Sequence, residues 1–260
     1  MDELWLARFA HWRYVASPQR QKKGLLMSDA LSELQRLIDG HVAGGRAIRL
    51  LEAGCGSMSK VRLGENVEVV GIDISAQQLE RNPGLHECIL GDIQSYPLQE
   101  HGFDIIICWD VLEHLDEPRK ALTNFFRAAK PGGLIILAFP NLYSLKGVIT
   151  KLTPHIVHVW YYKYLLHIPD AGVDDTPPFV TTFRLAVTHP AIRRLAEAHS
   201  AEVAFFALRE SHDMKYVRRK FRFMNAIMTG ASLVSRALSF GRVDALHSDC
   251  ILVLRAGATA

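Results

Sequence analysis

The chain has no closely spaced pair of cysteines. Cys55, Cys88, Cys108 and Cys250 stand far apart and no CxxC occurs. That pattern argues against a disulfide scaffold or zinc ribbon and suggests reduced thiols in core or loop positions, as in a cytoplasmic protein. No stretch reaches ~18 uninterrupted apolar residues, so no membrane-spanning helix is expected. The opening "MDELWLARFAHWRYV" lacks a basic segment and a continuous apolar run, and does not read as a signal peptide. The net charge is only +3, too small to imply nucleic acid. His155 and His158 have HxxH spacing, but no thiol or carboxylate cluster accompanies them, so no metal site is expected. One absence is local. Between Met214 and Val243 there is no acid, while seven bases occur: Lys215, Arg218, Arg219, Lys220, Arg222, Arg236 and Arg242. A solvated basic face and a patch for an anionic or membrane-surface partner both fit that asymmetry.

What is present suits one large domain, or a domain with insertions, since 49% of 260 residues are hydrophobic. Residues 1–45 read as helical. In "SDALSELQRLIDGHV", Ser28 or Asp29 is the expected N-cap, and Leu31, Leu34, Leu37 and Ile38 form one apolar face. The period then changes. "AIRLLEA" (47–53), "VEVVGID" (67–73), "HECILGD" (86–92) and "FDIIICWD" (103–110) are short and rich in Val and Ile. Several are apolar on nearly every residue, as in a parallel sheet covered on both faces. A helix is expected from Pro118 to Pro131, then a Gly132-Gly133 turn and a strand over "LIILAFP" (134–140). A helix at 190–199 and strands at 202–210 and 248–256 follow. Strand and connection in alternation predict a doubly wound α/β fold.

The first four strands end at acids, Glu52, Asp73, Asp92 and Asp110, spaced 18 to 21 residues apart. In open α/β sheets the ligand lies beyond the carboxyl ends of the strands, so these carboxylates should line one crevice. They suit a ligand with hydroxyls, amines and positive charge. NAD offers ribose hydroxyls, but its diphosphate needs a helix N-terminus. After the glycine loop of "RLLEAGCGSM" only ten residues, 57–66, precede the next strand, whereas a crossover usually takes ~10–12 or more. Ser59 also stands where a dinucleotide fingerprint has its third glycine. A ligand without phosphate fits better.

At this point the chain resembles a known family. "LEAGCG", "GIDIS", "GDIQSYPL", "FDIIICWDVLEHL" and "AAKPGGLIILAFPN", in that order, are similar to the motifs of class I methyltransferases that use S-adenosylmethionine (SAM), especially the type 11 group. Met58 departs from the pattern, which usually has a small residue there. The resemblance implies a Rossmann-like seven-stranded sheet, mostly parallel with an antiparallel last strand, and a shortened first helix. It implies a methyltransferase domain over 46–260, with insertions at 141–187 (a lid) and 211–246 (a basic, apolar segment). SAM would be the cofactor and S-adenosylhomocysteine (SAH) its product.

Carried over by residue, Gly54, Cys55 and Gly56 would approach the methionine part of SAM, with Glu52 supporting the loop. Asp73 would accept from the ribose hydroxyls, and Ile74 would pack on adenine. Asp92 would accept from the adenine amino group, with the Ile93 amide beside it. Trp109, Asp110 and Val111 would lie near the sulfonium. His114 is the candidate general base and Asn141 a candidate for orienting the acceptor. Trp160, Tyr161, Tyr162 and Tyr164 are placed to line an apolar pocket in the lid. Arg13, Tyr14 and Lys22 or Lys23 are candidates to fold over the site. The expected acceptor is a small molecule, hydrophobic or lipid-linked, with peripheral membrane contact through 214–243. The alternative is a SAM-binding partner or regulatory protein without catalysis.

Overall fold

The computed structural model describes residues 29–58, 66–173, 178–181 and 184–257. Arg13, Tyr14, Lys22, Lys23 and most of the 57–66 connection lie outside the described residues. Seven strands form one sheet: β1 (Ile48–Ala53), β2 (Val67–Asp73), β3 (Glu87–Leu90), β4 (Phe103–Trp109), β5 (Ala129–Pro140), β6 (Glu202–Arg209) and β7 (Asp249–Arg255). Their order is β3-β2-β1-β4-β5-β7-β6. The first five pair in parallel, and β7 lies antiparallel to both β5 and β6. The chain leaves β1 toward β2 and β3, then returns to place β4 on the other side of β1. The switch point therefore lies between β1 and β4.

Continuous apolar strands reflect a sheet buried on both faces. Along β4, Ile106 and Cys108 point into one core, shared with Leu122, Phe125 and Ile192. Ile105, Ile107 and Trp109 point into the other, shared with Leu31, Leu34 and Ile38. Those last three come from α1 (Asp29–Val42), and the expected stripe is the face it buries.

The start of β5 differs from expectation. The helix α2 (Pro118–Ala128) ends three residues before Pro131, and β5 begins directly at Ala129. Ala129 pairs with Phe103 and Leu134 with Ile105, so residues 130–133 bulge outward. Gly132, at φ +75°, makes that excursion possible, and its amide donates to the Ala256 carbonyl at 2.9 Å.

At the amino ends of the strands, Asp104 ties the sheet together. It is 2% exposed. The Arg49 amide donates to it at 2.9 Å, the Lys130 ammonium at 2.7 Å, and the Arg46 guanidinium also donates. Burial works against its charge, but these donors more than offset that and hold its pKa below the usual value. A depressed carboxylate pKa gives stability that is complete above the unfolded value, about 3.9, and is lost as pH falls through the folded value. Asp104→Asn should therefore cost about 2 kcal/mol at neutral pH. Urea titrations at stepped pH should show this gap closing below about pH 4.

Candidate functional site

The loop after β1 crosses the carboxyl edge in left-handed backbone, with Gly54 at φ +72° and Gly56 at φ +57°. The Gly54 and Cys55 amides donate to the Ile72 carbonyl at 2.8 and 3.3 Å. A Cβ on Gly54 would come within 2.5 Å of Val111 Cγ2, so the loop after β1 and the segment after β4 touch at the switch point. Asp73 fixes the next step. Its Oδ2 accepts from the Gly56 amide and its Oδ1 from the Ser75 amide, both at 2.9 Å. Asn82 Nδ2 donates to the Gly56 carbonyl at 3.0 Å. Each carboxylate oxygen has a second lone pair, so one bond to the fold leaves capacity for a hydroxyl. Ile74, next in sequence, is 77% exposed and offers an apolar face beside that carboxylate.

Ser57 and Met58 lie in a turn, and residues 59–65 of that connection are outside the described residues. The short helix of this half is Ala76–Glu80, after β2, and Ser75 Oγ caps it by accepting from the Gln78 amide.

Of the four strand-end acids, Glu52 is buried, Asp73 and Asp92 are half-buried, and Asp110 is exposed. Asp92 accepts from the Gln94 amide at 2.8 Å and from the Gln94 side-chain nitrogen at 3.0 and 3.1 Å. Ile93 is buried, and its carbonyl accepts from Asn124. Trp109 is buried in the core beneath α1. Asp110 takes φ +54°, a conformation that aspartate tolerates better than most residues. Its amide donates to the Ala138 carbonyl at 2.9 Å, which keeps the turn against β5.

The loop also buries thiol and acid groups. Burial, then the charges of Asp73 and Glu52, push the Cys55 thiol up to about 12. Cys55 is therefore a neutral packing residue at physiological pH. Glu113, which the sequence motif did not single out, sits in the 3₁₀ turn Leu112–His114 and is buried. Burial and then the Asp110 charge raise its pKa well above the usual carboxylate value. The signal was an acid set inside "VLEHL", between two leucines directly after a strand.

His114 Nδ1 lies 2.7 Å from the Val180 carbonyl. A carbonyl only accepts, so Nδ1 carries the proton and Nε2 the lone pair. Nε2 is 3.9 Å from Glu113 Oε1, and the ring meets Phe179 edge-on at 5.9 Å between centroids. Burial lowers the His114 pKa, more than the Val180 bond raises it, and the ring is neutral at pH 7.

Asn141 is buried, and both ends of its amide are used within the fold. Nδ2 donates to the His247 carbonyl at 2.8 Å, and Oδ1 accepts from the Tyr143 amide at 3.1 Å. Its own amide donates to the Ser248 carbonyl at 2.7 Å. It clamps the start of the lid to the end of the basic insertion. Gly147 allows this, because a Cβ there would collide with the Asn141 carbonyl.

The segment expected to be a lid is helical where it follows β5, with α3 (Leu145–Leu152), then α4 (His155–Trp160), then a π turn over Tyr161–Leu165. Trp160 and Tyr164 pack together at 4.8 Å and both remain exposed, while Tyr161 and Tyr162 are half-buried. His158 Nε2 engages Thr153 Oγ1 at 2.9 Å. Among the described residues, no group of three or more histidine, cysteine or acidic side chains is placed to hold a metal ion.

Residues 51–137, a third of the chain, match the methyltransferase domain family. The chain carries a class I SAM-dependent methyltransferase domain. Its sheet order and antiparallel last strand agree with that fold, and SAM is the cofactor of the family. The mitochondrial ubiquinone biosynthesis O-methyltransferase of Schizosaccharomyces pombe is 29% identical over 124 residues, 43% of this chain and 45% of that protein. The demethylmenaquinone methyltransferase of Renibacterium salmoninarum is 32% identical over 119 residues, 43% of this chain and 49% of that protein. The chain thus spans about half the length of these two relatives. Among solved structures, one titled as the [4+2]-cyclase SpnF has a TM-score of 0.52 at 15% identity, covering 98% of this chain and 93% of its own. That likeness concerns the fold alone.

The methyltransferase site fits SAM in two respects. Glycines carry the loop where left-handed backbone is required, and Asp73 with exposed Ile74 pairs an acceptor with an apolar face at the end of β2. Gly54→Ala should destabilise the domain by about 1–3 kcal/mol, since it adds left-handed strain and a clash with Val111. Urea denaturation checks this. Thiol labelling of the native protein should modify exposed Cys88 and leave buried Cys55, Cys108 and Cys250 untouched until unfolding.

Proposed function

We propose that this protein transfers the methyl group of SAM to a hydroxyl on a small apolar acceptor, such as a quinol or other phenol. The observation that carries the reading is His114. Its Nδ1 proton is tied to Val180, its ring is neutral, and its Nε2 lone pair sits just past the end of β4. A hydroxyl acceptor needs a base of that kind. SAM when bound supplies the electrophilic methyl group. The protein supplies alignment and exclusion of water.

In this reading Gly54, Cys55 and Gly56, supported by Glu52, take the methionine part of the cofactor. Asp73 and Ile74 take the ribose and adenine, with Asp92 and Ile93 at the adenine edge. Asp110 and Val111 form the wall near the sulfonium, while Trp109, which the motif also pointed to, is buried behind it in the core beneath α1. Glu113, whose pKa is raised by burial, lies beside His114, and burial keeps the imidazole neutral. Asn141 acts as a positioning residue by clamping the lid root. The apolar acceptor is supported by the aromatic lid and by the names of the two relatives, one from ubiquinone biosynthesis and one a demethylmenaquinone methyltransferase.

Incubation with methyl-labelled SAM and a panel of quinols and catechols should yield labelled ether products. Asp73→Ala should weaken SAH binding in calorimetry. His114→Asn should lower kcat by about 10²–10⁴-fold with SAH affinity unchanged. Because burial lowers its pKa from 6.5, the wild-type rate should fall as pH drops through a value below 6.5, and His114→Asn should lack that limb. SAH binding without transfer to any acceptor would favour a non-catalytic SAM-binding role instead.

A further inference from the structure

We propose that the outer face of helix Arg222–Leu238 docks on an anionic lipid bilayer and sets the site's mouth against the membrane; this rests on the reading of an apolar acceptor. The helix is turned inside out. A surface helix normally points its apolar stripe at the core. Here the inward face carries Met228, Ser232 and Ser235. Ser232 Oγ donates to Asp244 at 2.7 Å, and Ser235 Oγ accepts from the Ala245 amide at 3.0 Å. The outward face carries Phe223, Ile227, Val234 and Leu238, which are 64, 58, 58 and 79% exposed. At 100° per residue these four fall within an arc of about 60°, and Leu233, Ala226 and Ala237 widen it to about 140°. Phe240, 92% exposed, continues the patch past the helix end.

Charge selects the occupant. Arg222 and Arg236 border the stripe on the polar side, and Lys215, Arg219 and Lys220 are exposed on the preceding helix, His212–Lys220. No acid occurs from Met214 to Val243. An apolar stripe edged by bases is complementary to acyl chains beneath anionic headgroups. A second copy of the chain would instead bring the same bases against one another. The helix has 17 residues, and among the described residues no helix is long and apolar enough to cross a membrane, so it lies along the surface.

The location gives the contact a purpose. Both insertions leave the sheet at its carboxyl edge and are stitched together there. The Leu145 amide donates to the Ala245 carbonyl at 2.8 Å, and the Ser211 amide donates to Ser248 Oγ at 2.7 Å. Lys146 pairs with Asp213 at 3.5 Å, and Lys220 Nζ donates to His167 Nε2 at 3.4 Å. A bilayer held by the second insertion is therefore next to the lid, whose Leu152, Ile156 and Trp160 are also exposed. An acceptor dissolved in the membrane would enter without crossing water.

Vesicle flotation tests this with the full chain, comparing pure phosphatidylcholine with a phosphatidylcholine–phosphatidylglycerol mixture. The wild type should float with the anionic vesicles only, and less at high salt. Ile227→Asp with Val234→Asp should lose that binding, and Arg222→Glu with Arg236→Glu should weaken it about ten-fold or more. Circular dichroism and SAH calorimetry should be unchanged in both variants, because neither pair touches the cofactor loop. Absence of wild-type flotation, or equal flotation of both variants, overturns the proposal. So does a wild-type dimer in sedimentation that the Ile227/Val234 variant converts to monomer. A wild type that floats but binds no SAH overturns the methyltransferase reading on its own.

Discussion

Parallel pairing of β1 through β5 sends the last residue of each strand to the same edge of the sheet. A parallel sheet is covered on both faces, so that edge is where the loops can meet a ligand. Glu52, Asp73 and Asp110 lie at that edge for this reason. Gly54 meets Val111 there because β1 and β4 are neighbours. The amino edge has the opposite character. Asp104 faces three cationic or amide donors and is spent on holding strands and loops together. The same residue type thus serves stability at one end of β4 and the site at the other.

The titration of a thiol reports the field at the carboxyl edge. Cys55 lies in the loop, and after burial the two next contributions to its raised pKa come from Asp73 and Glu52. Burial opposes charge of either sign, but the Asp73 and Glu52 charges oppose an anion such as a diphosphate and favour a cation. That preference agrees with a cofactor carrying a sulfonium and an ammonium. Glu113 is shifted the same way: burial and Asp110 both oppose a further negative charge and raise its pKa. His114 beside it remains neutral through burial, so a proton acceptor persists in a region that would otherwise stabilise an imidazolium.

Strand positions were legible in the sequence because burial on both faces writes an apolar residue at nearly every position, as in "FDIIICW". The acid at each strand end was legible for the same reason, as a break in that run. The start of β5 was not. Pro131 and the two glycines read as a stop and a turn, whereas strand pairing resumes through a bulge that only the register with Phe103 and Ile105 reveals. Asn141 was read as a residue facing the acceptor from its place after β5, but its partners come from His247 and Tyr143. One of those lies more than 100 residues away, and no local pattern encodes such a contact. Glu113 was passed over because an acid inside an apolar segment looks like a surface residue until burial on all sides is known.

The basic segment marks where composition ends and orientation begins. An acid-free stretch with apolar residues at helical spacing fits a helix that buries its apolar face as well as one that exposes it. What decides is the opposite face. Ser232 and Ser235 satisfy Asp244 and the Ala245 amide, and these bonds exist only if the serines point inward. Turning the helix over would take the Ser232 donor from Asp244, leaving it the Leu246 amide, and would take the Ser235 acceptor from the Ala245 amide. A buried polar group left without a partner is costly, so these bonds favour the inward-facing serines. The hydrogen bonds of the 244–248 turn therefore fix which way the apolar face looks, and that same turn is joined through Asn141 and Ala245 to the helical segment that follows β5.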